Sequence, residues 1–392
     1  MTAQELWNRL GQAVTMESDD AAIRIRASYQ PQAGGGTKVF PATYLPDGDT
    51  KYLVEQRWDE HGEPVETVMI DSVQSQANRC ETALLRVADE VGFPQLLVET
   101  EADGQRITIS SLEAPHRSRD AYFLDAEDAN GTPFDQTDIG KALNAVRHDD
   151  ATAALQYAPA DLVFGVWDSH RGKRVAIRFA RSYSSEIIGE GVLEGKRAAT
   201  KGDKYNLPGT TQVDAKEWRP DAVTGKKKSN VDLNELGHGM IPGSARDRSG
   251  MPTPGGVSVK RIERRAVLSL TGLARLQFGS HNAELEKSGR VAVAALALLG
   301  DRLAFSGAGI HLRSGADLVL DDEYLEWVGP RGHSEPLELD RTTAVELMKF
   351  AASKLSNAGI TWQDEPVRLK PSNRLQKIIE QTFTVPQLEA ED

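Results

Sequence analysis

The sequence predicts an α+β fold in which an antiparallel sheet is backed by helices and interrupted by long insertions. Three observations predict it. Ile23 to Tyr29 alternates strictly, with Ile23, Ile25, Ala27 and Tyr29 on one side and Arg24, Arg26 and Ser28 on the other, the two-residue period of a half-buried strand. Val73, Ala77, Cys80, Leu84, Val87 and Val91 recur at three- and four-residue steps, the apolar stripe of a helix. Strand and helix patterns then follow one another irregularly, without the regular βα repeat that builds a parallel sheet.

The elements follow in chain order. Glu5 to Val14 is a short amphipathic helix, and Ile23 to Tyr29 is the first strand. Gly34-Gly-Gly-Thr-Lys38 centres a loop. Tyr52 to Trp58 and Val65 to Ile70 read as a hairpin around the Asp59–Pro64 turn. Asp71 is placed as the N-cap of the next helix, with Gln74 completing a capping box. Leu96 to Glu99 and Arg106 to Ser110 are short strands. Residues 111–160 are polar and turn-rich and read as a partly helical insertion. Asp161 to Trp167 reads as a buried strand, and Lys173 to Tyr183 as its return after the turn at Asp168–Gly172. From Gly195 to Gly256 the chain loses periodicity and is rich in Gly, Pro and Lys; so long a stretch inside a domain is usually functional. Val257 to Leu270 reads as a long strand, Ser288 to Phe305 as a buried helix, and Asp317 to Val328 as two strands. Helices at Thr342–Ala358 and Ser372–Gln381 close the chain.

With 39% hydrophobic and 27% charged residues, the chain has the composition of a globular protein. The longest apolar run, Val291 to Leu299, is too short for a bilayer span, which needs about 20 residues. The first residues lack a basic segment followed by an apolar one, so no signal peptide is expected and a cytoplasmic location is. Cys80 is the only cysteine and lies on an apolar stripe, which suits a small buried hydrophobe. The net charge of −12 speaks against a simple nucleic-acid binder. The distribution reverses that judgement, because Val166 to Arg265 holds 20 Lys and Arg against 12 Asp and Glu. A basic segment on an acidic body fits a confined anion-binding surface.

Most motif-based sites fail on spacing. Gly34 to Lys38 lacks the phosphate-loop pattern, although its backbone freedom lets Lys38 approach a phosphate. Ser306 to Leu312 misses the dinucleotide fingerprint. One Cys and eight scattered His offer no zinc site, His148-Asp149-Asp150 reads as a solvated turn, and no nucleophile elbow is present. No metal or other cofactor is expected. His170 and His238 lie in basic, turn-rich segments; a surface turn histidine is the commoner outcome there, and a general base for RNA cleavage the alternative. Basic residues cluster at Arg171, Lys173, Arg174, Arg178 and Arg181, and again at Lys260, Arg261, Arg264 and Arg265. The helix after Asp71 offers Ser75, Asn78, Arg79, Thr82 and Arg86 opposite its apolar stripe. Amides, hydroxyls and guanidinium groups beside a helix N-terminus suit a phosphate backbone.

Five segments together resemble the backbone subunit of type I-G (formerly I-U) CRISPR Cascade, the Cas-seven family within the RAMP superfamily. They are Ile25 to Pro41, Ile70 to Arg79 (Ile-Asp-Ser-Val-Gln-Ser-Gln-Ala-Asn-Arg), Phe164 to Ser169 (Phe-Gly-Val-Trp-Asp-Ser), Arg181 to Gly189 and Glu365 to Leu369. The resemblance implies one RRM-like, ferredoxin-like palm over the whole chain. Residues 111–160 would then form a finger-like insertion and 195–256 a thumb-like one. It implies copies stacked along a guide RNA, with other Cascade subunits as partners, target DNA reached by guide pairing, and no membrane. It also implies that Ser75, Gln76 and Arg79 contact RNA phosphates, with Lys38 approaching the guide. Joined to the basic clusters, the expected RNA-binding residues are Arg24, Arg26, Lys38, Gln74, Ser75, Gln76, Asn78, Arg79, Arg174, Arg178, Arg181, Lys260 and Arg264. No catalytic residue is expected. The alternative is a RAMP-type endoribonuclease that processes CRISPR RNA with a His general base.

Overall fold

The chain's first strand lies inside its main sheet, paired on both sides, with one face buried as its alternation requires. The computed structural model describes residues 1–44, 51–59, 61–168, 177–196, 202–218, 230–239, 254–280, 282–362 and 365–383. Its main elements are α1 (Ala3–Ala13), β1 (Ala22–Pro31), β2 (Val54–Trp58), β3 (Pro64–Asp71), α2 (Val73–Leu85), β4 (Leu96–Ala102) and β5 (Gln105–Ser110). Then come β6 (Tyr183–Glu190), β7 (Arg261–Ser269), α3 (Ala283–Phe305), β8 (Gly309–His311) and β9 (Asp317–Val328). Last are α4 (Arg341–Asn357), β10 (Val367–Pro371) and α5 (Asn373–Phe383).

The main sheet runs β8-β9-β1-β7-β6-β3-β2, with Ser334–Pro336 paired to β9, and every pairing in it is antiparallel. Its heart is β1-α2-β6-β7-α3-β9, with β7 between β1 and β6 and with β1 between β7 and β9. That is the split βαβ arrangement of a ferredoxin-like domain. The β2–β3 hairpin is inserted after β1 and extends the β6 edge.

One face of this sheet is the core. Ile23, Ile25, Ala27 and Tyr29 of β1 point into it, as do Ile262, Ala266 and Leu268 of β7 and Leu325 and Trp327 of β9. Helices α2 and α3 cover that face, and α4 and α1 pack behind α3. Val291 to Leu299 is fully buried, as its unbroken apolar run dictates. A second, smaller sheet runs β5-β4-β10 and ends on Ala126–Glu127. Its own core holds Leu96, Val98, Phe123, Phe134, Leu143 and Leu369. The helical insertion after residue 110 therefore packs with strands from before it and from near the C-terminus.

Several sequence expectations need correction. The N-cap of α2 is Ser72, whose hydroxyl accepts the Ser75 N–H at 3.3 Å. Asp71 ends β3 instead, with its carboxylate buried and accepting from the Gln76 side-chain amide. Asp161 to Phe164 belongs to the short helix Ala160–Phe164, and only Val166–Asp168 is extended, paired with Ile177–Phe179. A short apolar run does not distinguish buried helix from buried strand. Asp317–Val328 is one strand with a bulge opposite Ser28/Tyr29, not two. The aperiodic 195–256 stretch contains a short pair, Gln212–Asp214 with Asn230–Asp232. Among the described residues, no helix is long and apolar enough to cross a membrane.

Between sheet and helices runs a continuous buried polar chain. Gln76 donates to Asp71 and accepts from the Ser185 hydroxyl at 2.8 Å. Arg264 donates Nε to Ser185 Oγ at 3.0 Å and Nη2 to Tyr183 Oη at 2.7 Å and to Asp301. Asp301 also accepts from Arg302, which reaches Glu323 at 2.6 Å. Phe305 caps the Arg264 guanidinium at 3.7 Å. A cation this deep is tolerated only when it is paired and hydrogen-bonded.

Candidate nucleic-acid interface

The other face of the main sheet presents the alternate residues. Arg26 of β1 lies opposite Arg265 of β7 and Tyr324 of β9, and Arg265 lies opposite Glu186 of β6. One residue pair further along, Arg24 lies between Glu326 and Val267. A cleft of about 400 Å³ joins Arg24, Arg26, Ser184, Glu186 and Arg265 to Val73 in the first turn of α2. That first turn carries no acidic residue, so its free N–H groups and dipole favour an anion. Arg24 and Arg26 thus meet the start of α2, two features far apart in sequence that alternation and capping place on one surface.

The surface is a charge lattice, not a bare cationic stripe. Arg24 pairs with Glu326 at 2.5 Å, and that hydrogen bond holds the Glu326 carboxyl below the usual range. Arg265 pairs with Glu190 at 2.9 Å and Glu263 at 2.6 Å, Arg261 with Glu190 at 2.6 Å, and Arg57 with Glu186 at 2.5 Å. Among the described residues no carboxylate lies within ion-pair distance of Arg26, Lys260, Arg178 or Arg181. A phosphate competes with carboxylates for the paired arginines and meets no ion-paired carboxylate at these four among the described residues. The arginines are partly exposed while Glu190 and Glu326 are buried, so a phosphate reaches the guanidinium groups from the solvent side and shares them with these carboxylates.

The remaining expected residues divide. Gln74 and Asn78 are exposed on α2, and Ser75 is half-buried beside them. Lys38 is exposed and donates to the Lys196 carbonyl at 3.0 Å. Arg79 is held by Asp71 at 3.6 Å and by the His311 carbonyl at 3.1 Å. Gln76 and Arg264 are corrections. Both are fully buried in the polar chain, and neither reaches the open face. Arg178 and Arg181 are exposed at a second cleft. Arg174 and His170 lie outside the described residues. His238 is exposed, edge-on to Trp218 at 5.8 Å. Arg265 takes the place that Arg264 was assigned. The signal was present, since Ile262, Ala266 and Leu268 fix the inward parity of β7 and put Arg265 outside.

Lys38 marks the root of the 195–256 insertion. Leu193–Glu194 pairs with Val257–Ser258, and Val39 bridges Val257. Gly256 N–H donates to the Tyr52 hydroxyl at 2.9 Å. Gly195 and Gly255 cross backbone to backbone, so a Cβ on Gly255 would stand 2.2 Å from the Gly195 carbonyl oxygen. Gly255→Ala is therefore expected to force the neck apart and cost about 1–3 kcal/mol. Gly202→Ala, with open space around it, is the control expected to leave the thermal midpoint unchanged.

Residues 23–194 match the family model described as CRISPR-associated protein GSU0053. The matched stretch is less than half of the chain. It holds β1, the hairpin, α2 and β6, and ends at the last residue before the insertion's neck. No curated protein matches the chain. The first part of the chain, which carries Arg24, Arg26, Lys38 and the start of α2, is thus similar to a CRISPR-associated family, and this supports a CRISPR-related role.

Proposed function

We propose that the chain is a non-catalytic, guide-RNA-binding backbone subunit of a type I CRISPR surveillance complex (Cascade) of the I-G kind. In this reading several copies stack along one guide RNA and contact other Cascade subunits. The guide is presented for pairing with target DNA, so that base pairing reads sequence while the protein supplies shape and charge. The observation that carries it is the open face of a ferredoxin-like sheet, where Arg24, Arg26 and Arg265 meet the acid-free first turn of α2 in one cleft. The cleft's first-part residues lie within the stretch similar to a CRISPR-associated family. A surface of this kind grips phosphates with little base discrimination.

The test is expression beside its own CRISPR array. The expected result is a protein that co-purifies with RNA of ordered length and runs as a ladder of oligomers. Labelled repeat RNA incubated with it is expected to stay intact. A clean, RNA-free monomer overturns the reading.

A further inference from the structure

A second cleft, of about 480 Å³, opens beside the Val166–Asp168 and Ile177–Phe179 hairpin. It shares no lining residue with the cleft on the open sheet face. Trp167 stands in it with 65% of its surface exposed. Most tryptophans bury their large rings, and this one lies on a short strand where parity turns it outward between buried Val166 and Asp168. Arg178 is its cross-strand partner, and Arg181 lines the same cleft.

The cleft is firmly built. Gly165 stands at φ +86°, and a Cβ there would press on Arg181 N at 3.1 Å and Phe179 O at 3.2 Å, so the two hairpin roots approach more closely than another residue allows. Arg117 donates to the Gly165 carbonyl at 2.9 Å, pairs with buried Glu81 at 2.6 Å and lies over Phe164 at 5.5 Å. That guanidinium is committed to structure. Arg178 and Arg181 are not, because among the described residues no carboxylate is in reach of either.

We propose that this cleft is a nucleotide subsite in which the Trp167 indole stacks on an unpaired base of a bound single strand while Arg178 and Arg181 hold the adjoining phosphates. The proposal rests on the single-strand reading given above and adds a base contact to it. An exposed aromatic ring flanked by free guanidinium groups is the chemistry that takes a base of any sequence. The volume falls within the ~300–1,000 Å³ typical of small-molecule clefts. Arg181 precedes Ser184 of the first cleft by three residues.

The experiment compares two probes, a short oligouridylate and a base-free strand of tetrahydrofuran units with the same phosphates. Trp167→Ala is expected to weaken oligouridylate binding about 5- to 100-fold, as loss of one stacked base does. It is expected to leave the base-free strand and the salt slope unchanged, since no cation is lost. Trp167→Phe is expected to stay within about threefold of the parent chain. Oligouridylate affinity unchanged in Trp167→Ala overturns the inference and leaves the guide-binding reading standing. Equal loss of both strands also overturns it, as does lost self-association at unchanged RNA affinity. If the parent chain binds neither strand, the guide-binding reading fails and the subsite fails with it.

Discussion

Asp301→Asn is expected to lower folding stability by about 3–5 kcal/mol, the cost of breaking a buried ion pair from one side. Asp301 is fully buried and serves Arg264, Arg302 and Tyr183, the last with its hydroxyl at 2.5 Å. Asparagine keeps the size and removes the charge, leaving two buried guanidinium groups facing Glu323 alone. Burial by itself would push the Asp301 carboxyl up; Arg264 and Arg302 outweigh it and hold the carboxyl below its usual range. A depressed carboxylate contributes stability that is present above its unfolded value of about 3.9 and is lost as pH falls through the folded one. Thermal midpoints followed from neutral to acid pH check both parts. The variant is expected to begin lower and to lack this share of the acid-side decline. A midpoint equal to that of the parent chain at neutral pH contradicts the role given to the buried chain.

The second large effect concerns binding. Arg26→Ala combined with Lys38→Ala is expected to weaken binding of single-stranded RNA by about a hundredfold or more, at about 1.5–3 kcal/mol for each of the two charge-assisted contacts. The loss is expected to be similar for all RNA sequences. The slope of log affinity against log salt is expected to fall by up to ~1.4, at ~0.7 per lost phosphate contact. Neither residue is in an ion pair among the described residues, so stability is expected to hold. Arg264→Ala supplies the contrast, with a large fall in thermal midpoint and no change in slope. An unchanged slope in the double variant removes the open sheet face from RNA binding.

These outcomes separate residues that sequence alone groups together. The run Arg261 to Arg265 reads as one basic cluster, yet in a strand each step reverses the side chain, so Arg264 is structural and Arg265 outward. The first strand was legible because Ile23 to Tyr29 has no exception to its alternation. The strand β6 was not, since Tyr183, Ser185 and Ile187 point inward and the serine is buried through hydrogen bonds to Gln76 and Arg264. Hydropathy does not register such a position. The same blindness made Gln76 look like a surface amide. The second sheet was hidden for a different reason, because its strand β10 comes from Val367–Pro371 and pairs with β4 across most of the chain. Of the candidate surface, the outward side of Arg24 and Arg26 was legible from parity and the exposure of Lys38 from loop composition. Trp167 was visible as a residue but not as a surface, because its exposure depends on where the hairpin packs.

The two ends of the 195–256 stretch leave and rejoin the body side by side, through the crossing of Gly195 and Gly255. Closing a loop between adjacent ends grows more costly only slowly with length. Replacing the stretch by a tight two-residue turn such as Asn-Gly is therefore expected to leave the ferredoxin-like body folded. Diversification of such a chain has a natural place to happen, because a change of length between Gly195 and Gly255 leaves the pairing of Leu193–Glu194 with Val257–Ser258 in place.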